Sequence, residues 1–123
     1  MAIRTIIEVV IGVFYALGAG AQALWILRHS EKFYRDMADR SWLPPAESFI
    51  ENVLVPNSVT VTVLVAVFEA GAAIAILTRG AAVVPALVAG GVFSIIGGLA
   101  GSPGETVFYF ALAAVHFWLA AFH

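Results

Sequence analysis

The chain has 123 residues, of which 62% are hydrophobic and 11% charged, with a net charge of −2 and no cysteine. Soluble domains carry about 45–50% apolar and about 25% charged residues, and a single water-soluble core of this length has no room for so much apolar surface. The missing cysteines exclude disulfides, Cys-ligated zinc, iron–sulfur clusters and thiol redox chemistry. Six basic residues with no basic tract argue against a nucleic-acid interface.

Four apolar runs follow in order, over residues 6–27, 59–78, 81–99 and 106–122. Each approaches the ~20 residues that cross the hydrocarbon at a rise of 1.5 Å per residue. Backbone polar groups in lipid must be satisfied within the segment, so these runs are predicted to be helices despite their Val and Ile content. Arg4, the apolar stretch behind it and Ala21-Gln22-Ala23 also fit a signal peptide with a small-residue cleavage site. We take the run as a retained first span. The expected fold is all-α: a polytopic four-helix transmembrane bundle forming one domain over residues 1–123, a multi-pass membrane protein.

The connections differ in length. Thr78-Arg79-Gly80 joins the second and third runs and predicts a tight antiparallel hairpin. Gly101-Ser102-Pro103-Gly104 breaks the chain before the fourth. The stretch 28–58 holds four of the six basic residues and five of the eight acids. Ser30 is a plausible N-cap for a short helix carrying Phe33, Tyr34, Met37 and Ala38, and Pro45 opens a second over residues 46–54 that Pro56 closes. Trp42, Phe49 and Ile50 suit the membrane interface, so the stretch is expected to cap one end of the bundle. The excess of basic residues there would place the cap in the cytoplasm.

Polar residues inside the runs carry the functional signal, because an ionisable group in hydrocarbon costs roughly 2.5–3.5 kcal/mol even on a lenient scale. Glu69 and His116 are each eleventh in their runs, ~15 Å below the cap side, and Tyr15 has a comparable depth. Helical spacing sets them on small and polar stripes. One is Glu8, Gly12, Tyr15, Ala19 and Gln22. The others are Thr62, Ala66, Glu69 and Ala73, and Tyr109, Ala113, His116, Ala120 and His123. Gly90, Ser94, Gly97 and Gly101 line the third run and, with Gly12, are expected to face another helix or another subunit. Glu69, His116, Tyr15 and Gln22 are thus the candidates for ligand binding or proton transfer. A carboxyl beside an imidazole suits a hydrogen bond to a quinone head group. Glu69 is expected to hydrogen-bond Tyr15, His116 or a bound ligand, and the plainer alternative is that its bond to Tyr15 or His116 is structural glue. Haem would need a second axial ligand at His116's depth, and the chain has none. No metal site is expected, and Glu8, close to the end of its run, is expected to reach water.

Gly12-x-Phe14-x3-Gly18, Val55-Pro56-Asn57, Phe68-Glu69-Ala70-Gly71 and Leu77-Thr78-Arg79-Gly80 together resemble the DoxX-like family of small four-helix membrane proteins. Gln22 lies near the place where that family often has Lys. The resemblance implies a multi-pass protein of a prokaryotic cell membrane, acting as an accessory or redox-associated subunit, including quinone-linked sulfur oxidation. Membrane lipid and another membrane subunit or a second copy of the chain are the expected partners. The rival classes are a structural or assembly subunit of a larger complex, an intramembrane isomerase built on midplane acids and His, and a proton-coupled exporter.

Overall fold

The computed structural model describes residues 3–123, which are folded almost wholly as helix, with no strand among the described residues. Four helices, α1 (Ile3–Leu24), α4 (Ser58–Leu77), α5 (Val83–Ala100) and α6 (Pro103–Ala121), are long and apolar enough to cross a membrane. The first lies three residues earlier than its apolar run, because Trp25 breaks it and a 3-10 turn, Ile26–His29, leads into the cap. Only a minority of each span is buried inside the bundle. Outward faces bear residues such as Ile6, Phe14, Leu17, Val67, Ile74, Ile96 and Phe108. Water disfavours such a surface and lipid accepts it, which points to a multi-pass membrane protein.

The bundle consists of two antiparallel pairs, α1 with α4 and α5 with α6. The short turn after α4 does not create the tight α4–α5 hairpin that its length predicts. Those helices touch far less than either pair does. The reason is where space has been left on the helix faces. A Cβ on Gly12 would stand 2.8 Å from Leu77, so α4 presses into α1 there. A Cβ on Gly91 would stand 2.6 Å from the Phe117 ring, and one on Gly98 would stand 3.0 Å from that of Phe110, so α6 seats its aromatic side chains on α5. Arg79 takes up the turn with φ of 60°, a left-handed conformation that costs a non-glycine residue roughly 1–2 kcal/mol.

Within the chain, Gly97 is not part of a helix seam. Nothing lies within 4 Å of the Cβ it lacks, and the seam instead runs through Leu87, Gly90, Gly91, Ser94 and Gly98. Gly101 faces the first turn of α6, where a Cβ would strike Glu105 at 2.8 Å. Here Ser102 and Glu105 form a reciprocal capping box behind Pro103.

The stretch between α1 and α4 is helical and folded onto the bundle end. It contains α2 (Ser30–Arg40), α3 (Pro44–Phe49) and a π-helical turn, Ile50–Leu54. Ser30 is not the N-cap; it lies inside α2, and its hydroxyl bonds to Ser58 instead. Ile50 belongs to the cap's core rather than the interface, packed with Tyr34, Ala38 and Val55, while Phe49 stays exposed. Two polar contacts fasten the cap to α6: Arg40 to Glu105 at 3.0 Å, and Trp42 Nε1 to Thr106 Oγ1 at 2.8 Å.

Gly98→Leu is therefore expected to lower stability by about 1–3 kcal/mol through overpacking against Phe110, whereas Gly97→Leu stays near the parent. Thermal unfolding of the two variants in detergent checks the contrast.

Candidate functional site

Tyr15 on α1 and His116 on α6 meet at the centre of the bundle, with Tyr15 Oη 2.9 Å from His116 Nε2. His116 Nδ1 lies 2.8 Å from the carbonyl oxygen of Leu112. A carbonyl only accepts, so Nδ1 carries the hydrogen, and in the neutral ring Nε2 accepts from the Tyr15 hydroxyl. Gly90 of α5 makes room for the pair, since a Cβ there would fall on the Tyr15 hydroxyl and within 2.8 Å of His116 Nε2. Phe68 meets the Tyr15 ring edge-on at 6.1 Å and leans on Phe93 at 4.8 Å, bringing α4 and α5 into the same layer.

Glu69 lies outside that hydrogen bond. The sequence suggested a bond from Glu69 to Tyr15 or His116, but those two satisfy each other. The register of α4 on α1 sets Glu69 opposite Gly18, where any Cβ would collide with its carboxyl. That is one turn, ~5 Å, nearer the cap than Tyr15. Gln22 lies beside the same carboxyl. Glu69 Oε1 and Gln22 Oε1 are buried without hydrogen-bond partners, and no salt bridge reaches Glu69 among the described residues.

A cavity of about 330 Å³ adjoins these groups, with Phe14, Phe93 and Tyr109 as its aromatic walls and Tyr15, His116 and Glu69 as its polar surface. Pockets for small molecules span about 300–1,000 Å³ and pair apolar walls with a few placed polar groups. Phe14 and Phe108, which also line it, are more than half exposed on the outer surface. The cavity thus opens sideways between α1 and α6, two helices that barely pack backbone to backbone.

The sequence reading missed a second cluster. Glu8 is not in contact with water but 2% exposed, and it binds Arg79 Nη2 at 2.6 Å through one oxygen and His123 Nδ1 at 3.0 Å through the other. Arg4 donates to the carbonyl of Phe122 at the same end. The seven-residue spacing of Glu8, Tyr15 and Gln22 on α1, repeated by Tyr109, His116 and His123 on α6, carried this signal. Position near a span end is no guide to exposure when the neighbouring turn supplies a cation.

Tyr15→Phe removes the donor to His116 and leaves a buried nitrogen unpaired, at a cost of about 1–3 kcal/mol. Reversible unfolding should show that loss, and nitrogen NMR of the imidazole should show a changed tautomer balance. Gly18→Ala should preserve the fold, because the Glu69 side chain can swing away, but displace the carboxyl from the cavity.

No protein-family model, no curated protein and no solved structure matches this chain, so the geometry of the site is what a functional reading has to stand on.

Proposed function

We propose that the protein is a small membrane module that holds a lipid-soluble ligand with a polar, carbonyl-bearing head, of which a quinone is the leading case. The observation that carries this reading is the buried, unpartnered oxygen of Glu69 beside a cavity with aromatic walls and a lateral mouth. An unsatisfied buried oxygen costs about 1–3 kcal/mol, and a ligand that pairs with it recovers that cost. Two hydroxyls at the cavity are already committed. Tyr15 donates to His116, and Ser94 donates to the carbonyl of Gly90 at 2.8 Å. Glu69, with the Tyr109 hydroxyl, is left to bond a ligand carbonyl, as a donor when it carries a proton. Phe93 and Tyr109 would flank a planar ring. An entrance on the outer apolar face favours a ligand arriving from the lipid.

The likeness of its short motifs to the DoxX-like membrane proteins supports placing this module in a redox assembly, with electrons supplied by another subunit. The prokaryotic cell membrane is the location that this reading carries with it.

Titrating purified protein with a short-chain quinone tests the reading through quenching of tryptophan fluorescence. Saturable binding is expected, weakened about tenfold, or ~1.4 kcal/mol, by Glu69→Gln and by Gly18→Ala. An alkane-tailed alcohol of similar length should not compete. If the quinone fails to bind, or binds equally to Glu69→Gln, the polar groups are glue and the chain is a structural subunit.

A further inference from the structure

Two grooves lie in line on the outer face of α1, and neither contains Glu69. Val10, Phe14, Leu17 and Ala21 recur there at helical spacing. The amide of Trp25 still bonds to the Ala21 carbonyl at 3.0 Å, so Trp25 continues the stripe past the helix end. The first groove, about 170 Å³, is lined by Val10, Val13, Phe14 and Leu17 and has no polar surface. The second, about 380 Å³, lies nearer the cap, where α1 turns into α2. Trp25, Ile26 and Phe33 are its apolar members, and His29, Lys32 and Asp36 its polar ones.

Along this track the chemistry changes in one direction: hydrocarbon walls, then an indole, then charge. Trp side chains favour the level where hydrocarbon meets head groups. One leaflet of hydrocarbon is about 15 Å deep, or about ten residues of helix. Counted from Leu24, that depth ends at Phe14, inside the first groove. The second groove offers both signs of charge. Lys32 Nζ donates to Asp36 Oδ2 at 2.9 Å, and both side chains are at least half exposed. Such a pair contributes little, so a ligand carrying both charges can insert into it. A phosphate then takes Lys32 and the His29 imidazole, and an ammonium takes Asp36. The carboxylate gains charge-assisted hydrogen bonds only from an ammonium that has N–H groups. A head with negative charge alone would meet Asp36 as a like charge.

We infer that the two grooves seat a phospholipid with an ethanolamine head, its phosphate on Lys32, its ammonium on Asp36 and one tail along the outer face of α1. The neighbouring Glu31 and Arg35 pair with each other at 2.6 Å and stand outside the groove. The site shares no polar group with the Glu69 cavity, so the lipid and the quinone are tested separately.

Native mass spectrometry of delipidated protein in detergent reads the binding of phosphatidylethanolamine, phosphatidylcholine and phosphatidylglycerol with identical tails. One phosphatidylethanolamine per chain is expected, with a Kd about tenfold below those of the other two. Asp36→Asn should erase that preference, Lys32→Gln should weaken all three lipids, and Glu31→Gln should change nothing. Tail-free glycerophosphoethanolamine, added in equal amount, should displace no lipid. Equal affinity for the three lipids overturns the inference, as does tighter binding of phosphatidylglycerol. A preference that survives Asp36→Asn overturns it too, and so does displacement by the tail-free head. Should Asp36→Asn fail to fold, Lys32→Gln decides: weaker binding supports the site and unchanged binding overturns it.

Discussion

A polar side chain enclosed by Val, Leu and Ile must find its partner inside the protein, because lipid offers none. The arrangement of this bundle follows from that constraint. Its two helix pairs, α1 with α4 and α5 with α6, are each held by interlocking apolar side chains and glycines. Between the pairs, along the α1–α6 side, three polar contacts, Tyr15 with His116, Glu8 with His123 and Arg4 with the Phe122 carbonyl, flank an apolar cluster that holds Ile11 and Leu119. Packing within each pair is dense and undirected. Contact between them is sparse and directional, which leaves a cavity where backbones stand apart without letting the pairs rotate freely.

The glycines decide where those polar groups come to rest. Gly90 opens the space for the Tyr15–His116 bond, and Gly18 receives the Glu69 carboxyl. Neither position works as a simple point of helix–helix approach. Each is a socket for a functional group carried by a different helix, and the site is as much a property of what is missing from α1 and α5 as of what α4 and α6 supply. The cap extends the same logic. Its core of Tyr34, Ala38, Ile50 and Val55 settles on the bundle end, where Val61 of α4 and Ala100 of α5 pack against it.

Much of this was legible from residues alone. Run lengths and apolar content identified the four long helices to within a few residues, because lipid leaves so few alternatives. Pro45 and Pro56 marked the second cap helix, although it begins at Pro44 and its π-helical turn at Ile50–Leu54 has no sequence signature. Helical spacing put Tyr15 and His116 on inward stripes, and they meet. Depth counted by rise was too coarse to separate Glu69 from them by one turn, since the register between α1 and α4 is set by Gly12 and Leu77 rather than by span ends. Gly97 and Gly98 are adjacent and chemically identical, and only the aromatic rings of α6 distinguish the buried one from the open one. Glu8 was underread because its cation comes from a turn distant in sequence.

That distance has a consequence for biogenesis. Glu8 lies 71 positions ahead of Arg79, Tyr15 lies 101 ahead of His116, and Glu8 lies 115 ahead of His123. As the chain emerges from the ribosome, the first span therefore meets the bilayer with its carboxylate and phenol unmatched. It also lacks its packing partner α4, which follows only after the whole cap has been made. The later spans arrive into a membrane where their complements are already waiting. α1 is thus a segment made before α6 yet completed only when α6 arrives, and Phe122 and His123 supply its last polar contacts.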